Sequence, residues 1–104
     1  MDVFSALADP TRREIIALLA AGERNAGDIA GRFKMRGPSV SRHLRVLRES
    51  GVVSFKPSAQ ARVYRLEGPA LCEAKQWMEA QLEVLRERFD RLGAHLDAMR
   101  DRGD

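Results

Sequence analysis

The 104-residue sequence predicts a mainly α-helical chain with one small β-hairpin, and three observations carry this. Capping residues stand ahead of short runs with helical apolar spacing in the first half. Two runs rich in β-branched and aromatic residues, 52–56 and 62–66, lie close together in the middle. The last third keeps a helical apolar period with no proline after Pro69.

The elements follow in order. A short helix is expected over Val3 to Leu7. Asp9-Pro10 opens the first clear helix: Asp caps well, and Pro fits the first helical position. Ile15, Leu18 and Leu19 give it an apolar side, and Gly22 ends it. Asn25 caps the next helix, with Asp28 in its first turn and Ala26, Ile29, Ala30 and Phe33 on one face. Lys34 to Gly37 reads as a turn. A fourth helix runs from Pro38 to Ser50 and stops at Gly51. Val52 to Lys56 and Arg62 to Leu66 read as strands, with Pro57 to Ala61 as a hairpin loop of about five residues. Gly68-Pro69 starts the long final helix.

Two short helices across a tight turn, followed by a hairpin, is the layout of a winged helix-turn-helix. The expected architecture is mainly α with a small β-hairpin wing. Residues 1–68 form the winged unit, and residues 69–104 form a C-terminal dimerisation helix within the same single domain.

Composition narrows the function. Hydrophobic residues at 44% and charged residues at 32% describe a globular chain, neither disordered nor membrane-embedded. No apolar run approaches the roughly 20 residues that span a bilayer. Met1-Asp2-Val3-Phe4 lacks a basic region followed by an apolar stretch, so no signal peptide is expected. The single cysteine, Cys72, forms neither an internal disulfide nor a thiolate cluster and reads as a passive thiol at least half buried. The expected compartment is the cytoplasm. No catalytic pair, phosphate-cradling glycine loop or cofactor motif is found, so no enzyme and no cofactor are expected.

Charge points to a partner. The net charge is +3, but nine Lys/Arg against the single acid Glu49 fall between Arg32 and Leu66, leaving the rest of the chain acidic. A basic block between acidic flanks fits a polyanion held at one place. On a wheel of about 100° per residue, Val40, Leu44 and Leu47 form the buried stripe of the fourth helix. Arg42 and Arg45 lie opposite, and Ser39 and Ser41 lie on the flanks. Arginine pairs bidentately with guanine edges and serine serves base or phosphate. Ser39, Ser41 and Arg42 are therefore expected at or beside base edges, with Arg36 and Arg45 on phosphates. His43 borders the apolar stripe. Packing on a neighbouring helix is the preferred reading, and a DNA contact stays open. Lys56, Gln60 and Arg62, at or beside the hairpin tip, are expected near the phosphate backbone or minor groove. Tyr64 is assigned to packing.

The last helix carries Met78, Leu82, Leu85, Phe89, Leu92, Leu96 and Met99 at alternating steps of 4 and 3, with charged flanks. This heptad seam fits pairing with a second copy, with Phe4 and Leu7 of the first helix joining the interface. Trp77, one position off the seam, is assigned to packing at the junction with the winged unit.

Leu7-Ala8-Asp9-Pro10-Thr11-Arg12-Arg13, Val40-Ser41-Arg42-His43-Leu44-Arg45-Val46-Leu47-Arg48-Glu49-Ser50-Gly51-Val52-Val53 and Val63-Tyr64-Arg65-Leu66 together resemble the ArsR family of winged-helix repressors over roughly residues 3–92. Trp77 and Arg88-Phe89-Asp90-Arg91-Leu92 look like its branch of autorepressors without metal sites. The resemblance implies a dimeric repressor of transcription on an inverted-repeat operator in double-stranded DNA. Metal-sensing members often carry a Cys-x-Cys pair in the third helix, where this chain has Gly27-Asp28-Ile29-Ala30. Others use a carboxylate and histidine set on the last helix, where His95 and Asp97 stand two residues apart and point to different faces. No metal is therefore expected. The family often has glycine in the wing where Ala61 stands, which leaves the wing turn open. A protein-interaction module that kept the fold without specific DNA binding is the alternative, and it would not need the basic block.

Overall fold

The computed structural model describes residues 2–102. Met1, Gly103 and Asp104, at the outer ends of the expected segments 1–68 and 69–104, lie outside the described residues. The order is α1 (Val3–Leu7), α2 (Pro10–Ala20), β1 (Arg24–Asn25), α3 (Ala26–Phe33), α4 (Gly37–Glu49), β2 (Val53–Ser58), β3 (Ala61–Leu66) and α5 (Gly68–Asp101). The chain divides into two units, residues 1–74 and 75–104.

In the first unit, local chemistry sets the helix ends as expected. The Asp9 carboxylate accepts from the Thr11 and Arg12 amides at 2.8 and 3.1 Å, and Pro10 starts α2. These backbone donors, with the Arg12 guanidinium adding to them, hold the Asp9 carboxyl below the usual aspartate range. Asn25 caps α3 by accepting from the Asp28 amide at 2.8 Å. At the end of α4, Gly51 adopts φ +78, a left-handed conformation that glycine takes without cost. Its amide donates to Arg48 O at 3.0 Å and that of Val52 donates to Leu47 O at 3.0 Å, which closes a Schellman motif. Val52 and Leu47 are both fully buried, so the helix stop also anchors the first residue of the hairpin approach.

The core joins all the helices of this unit to the sheet. Ile15, Leu19, Ile29, Val40, Leu44, Leu47, Val52, Val53 and Tyr64 are buried, as is Ala74 of α5. Val40, Leu44 and Leu47 are the stripe expected of α4. Each such side chain contributes on the order of 1.5–3 kcal/mol when fully buried.

The sheet corrects three expectations. Its order is β1-β3-β2, all antiparallel, and the two-residue strand β1 carried no readable pattern. The hairpin loop is shorter than expected. Pro57 lies inside β2 opposite Arg62, and Ser58 pairs with Ala61, which leaves only Ala59 and Gln60 in the turn. β2 is an edge strand, and an edge tolerates the amide that proline lacks. The strained wing position is therefore Ala59, at φ +56, whereas Ala61 is ordinary strand. A left-handed alanine costs roughly 1–2 kcal/mol relative to glycine, partly offset by glycine's freer unfolded chain. Ala59→Gly is expected to raise the melting temperature by roughly 2–6 °C, a net gain of about 0.5–1 kcal/mol. A thermal melt followed by circular dichroism that moved down instead would contradict this turn.

Cys72 is exposed rather than half buried. It sits one residue beyond Leu71, which packs against the core, so the helical rotation carries the thiol off the buried face.

Residues 75–101 form a continuous stretch of α5. Met78, Leu82, Leu85, Phe89, Leu92 and Leu96 expose 42–62% of their surface along this one helix. Lys75–Glu79 and Arg86–Glu83 ion pairs, at 3.7 and 3.2 Å, line its polar flanks. Such exposed pairs contribute little. More than half of the Trp77 surface is exposed along the same helix.

Candidate nucleic-acid interface

The winged unit presents one concentrated basic surface. α3 ends at Lys34, whose φ of 54 reverses the chain, and Met35 and Arg36 lead into α4. Because Val40, Leu44 and Leu47 bury one side of α4, its opposite side is forced outward. Arg42, Arg45 and Arg48 are exposed there, with Ser41. Arg36 is exposed at the N-cap position and makes no side-chain cap, and Ser39 is half-buried beside it.

The wing completes the surface. Side chains alternate along a strand, and the register pairs Phe55 with Tyr64 and Pro57 with Arg62, which sets these four on one face. Ser41, Arg42, Arg45, Arg48, Arg62, Pro38 and Tyr64 line an open cleft of about 390 Å³ between α4 and that face. Among the described residues, none of Arg36, Arg42, Arg45, Arg48 and Arg62 has a carboxylate within 4.0 Å. Concentrated, unneutralised guanidinium groups create a strongly positive field that a polyanion satisfies.

Lys56 falls on the other face of the hairpin, where it lies 3.7 Å from the Glu23 carboxylate. Gln60 is exposed in the wing turn. His43 is half-buried, and its Nδ1 lies 3.5 Å from Arg12 Nη1. A guanidinium only donates, so this contact needs Nδ1 unprotonated. Arg12 also donates to Ser5 O and Ala6 O at 2.8 and 3.1 Å, which ties α1 and α2 to the inner flank of α4. At the base of the wing the Ser54 hydroxyl donates to Glu67, whose carboxyl is held below its usual range by that bond and by Arg65.

Three cleft residues, Pro38, Arg48 and Tyr64, were not among the site residues expected from the sequence. Arg48 continues the Arg42, Arg45 series at steps of three, the spacing that keeps side chains neighbouring on a helix, so that signal was present. Tyr64 is buried as expected, with 6% exposed, yet it also lines the cleft wall. Its dual placement depends on the strand register, which no local pattern reveals.

Comparison with known proteins agrees with this geometry. Residues 9–54 match the family model of bacterial regulatory proteins described as the arsR family. The transcriptional repressor SdpR of Bacillus subtilis is 42% identical over 77 residues, covering 74% of this chain and 86% of SdpR. The chain belongs to the ArsR family. A crystal structure of an ArsR family transcriptional regulator superposes with a TM-score of 0.74 at 30% identity, covering 80% of this chain and 86% of the other. An ArsR-like transcriptional regulator from Rhodococcus sp. RHA1 gives a TM-score of 0.81 at 25% identity, over 92% of this chain and 88% of its own. The winged-helix architecture read from the sequence is that of these ArsR-family regulators. The family is one of DNA-binding transcriptional regulators, not enzymes.

Proposed function

We propose that this ArsR-family chain is a homodimeric repressor that binds an inverted-repeat operator in the cytoplasm. In this reading α4 enters the major groove and Arg62 meets the adjacent backbone. The observation that carries it is the cleft between α4 and the wing, lined by four arginines with no carboxylate partner among the described residues. Ser41 and Arg42 are the base-edge candidates, with Ser39 at the flank. Arg36 and Arg45 are phosphate contacts. His43, turned toward Arg12, supports the reading helix from behind. Dimerisation is supported by the exposed heptad seam from Met78 to Leu96. Phe4 and Leu7 of α1 are proposed to join that interface, and Leu7 also packs partly against its own core.

No metal is part of this reading. Gly27-Asp28-Ile29-Ala30 in α3 offers no thiol, and among the described residues no three His, Cys, Asp or Glu side chains come together. Also among the described residues, no helix is long and apolar enough to cross a membrane.

A mobility shift of the chain's own promoter DNA across a salt series tests the proposal. Binding should fall steeply with salt as condensed counterions are released. Arg62→Ala should weaken operator and unrelated duplex alike and flatten the slope by roughly 0.9 per subunit. Lys56→Ala, on the far face beside Glu23, should do distinctly less. Retention of full affinity by Arg62→Ala would remove the wing from the interface.

A further inference from the structure

We propose that Arg48 is an additional phosphate contact, and that Phe55 is the positioning residue that holds Arg48 and Arg62 as a pair across the cleft. The proposal rests on the cleft being the DNA interface and gives Arg48 and Phe55 individual roles that this reading did not assign.

Arg48 and Arg62 come from different elements, the last turn of α4 and the start of β3. Both converge on one ring. The Arg48 Cζ lies 5.3 Å from the Phe55 centroid, and the Arg62 Cζ lies 4.6 Å from it. Both distances are within the roughly 6 Å over which a guanidinium is drawn to an aromatic ring. Phe55 is itself held. It is half-buried against the core and packs on Tyr64, with centroids 5.5 Å apart. The buried Tyr64 thus backs Phe55, and Phe55 carries the two cations.

Two like charges gathered on one ring, with no carboxylate partner among the described residues, repel each other and are relieved by an anion in the cleft that both line. Both line the cleft, so the anion reaches them there. A planar, multiply donating guanidinium suits phosphate oxygens. Stacking reduces the rotamer freedom that each long side chain loses on binding, which favours affinity through preorganisation. The chemistry recognised is a backbone phosphate of duplex DNA, which carries no sequence information.

Arg48 also stands in the last helical turn, where a cation favours the helix dipole. The test separates that structural role from phosphate contact. Full-length wild type, Arg48→Gln, Phe55→Leu and Phe55→Tyr are titrated onto promoter DNA and onto an unrelated duplex of equal length by fluorescence anisotropy. Salt is varied from about 50 to 200 mM, and thermal melts are run in parallel. Arg48→Gln is expected to reduce the salt slope by roughly 0.9 per subunit and to weaken both duplexes by the same factor. Phe55→Leu should reproduce part of that loss of slope, and Phe55→Tyr, which keeps the ring, should restore it. A purely structural Arg48 would lower the melting temperature and leave the slope at the wild-type value, and that result overturns the proposal. A lowered slope in Arg48→Gln with a wild-type slope in Phe55→Leu overturns the positioning role. A wild type that binds neither duplex defeats the DNA interface itself, an outcome distinct from both.

Discussion

Leu85→Glu combined with Leu92→Glu is expected to convert the proposed dimer to monomers and to weaken operator binding at least a hundredfold. The two side chains are 42% and 52% exposed on α5 and occupy the same position in successive heptads of the seam. Pairing across a two-fold axis would bury them, at about 1.5–3 kcal/mol for each side chain fully covered. Four carboxylates in such a seam would have to be desolvated beside like charges, a cost that exceeds the apolar gain it replaces. A two-fold operator presents half-sites about 34–36 Å apart, and one recognition helix reads only one of them. A monomer therefore drops toward the non-specific range, with Kd roughly 10⁻⁴–10⁻⁶ M, from the 10⁻⁸–10⁻¹¹ M typical of specific complexes. Sedimentation reports the mass, circular dichroism the fold and a mobility shift the affinity. The core of the first unit, around Ile15, Ile29 and Leu44, does not include these residues. A double variant that stays dimeric and binds its operator normally would place the interface elsewhere.

Arg42→Ala carries the second large effect. Arg42 is exposed on the outer side of α4 and lines the cleft, with no carboxylate to compete for it among the described residues. A bidentate arginine–guanine pair is worth about 1–3 kcal/mol of discrimination. The substitution is expected to cost that much per half-site and to relax base preference at one position in each. The fold should persist, because an exposed arginine leaves no buried group unpaired when truncated. Competition of operator variants in a mobility shift separates this from phosphate loss. Arg42→Ala should change the ranking of sequences, while Arg62→Ala and Arg48→Gln should lower all of them together. Unchanged affinity and ranking in Arg42→Ala would mean that a different face of α4 reads the groove.

The residues that cap, stop and stripe the helices act within a few positions of themselves, and these features were legible in the sequence. Asp9-Pro10, Asn25 and Gly51 satisfy or redirect nearby backbone groups. Val40, Leu44 and Leu47 fix the buried side of α4 and thereby the outward side that carries Ser41, Arg42 and Arg45. The periodicity of the last helix likewise needed nothing beyond its own sequence. The wing was different, because its register depends on partners that are distant in the chain. Pro57 reads locally as a loop residue, yet as part of an edge strand it pairs with Arg62, and this moves the strained turn position from Ala61 to Ala59.

The same register decided which wing cation faces α4. Lys56 and Arg62 are equally basic in the sequence, but alternation along paired strands sends Arg62 into the cleft and Lys56 to Glu23. Arg48 shows the complementary case. Its spacing after Arg42 and Arg45 was visible, but only tertiary packing brings it to Phe55 and, through that ring, to Arg62. The sequence by itself determined the helices, the basic block and the apolar seam, because short-range hydrogen bonding and periodic burial specify them. Tertiary structure decided which charges share a surface, because strand register and the packing of the hairpin on α4 join residues that no local pattern connects.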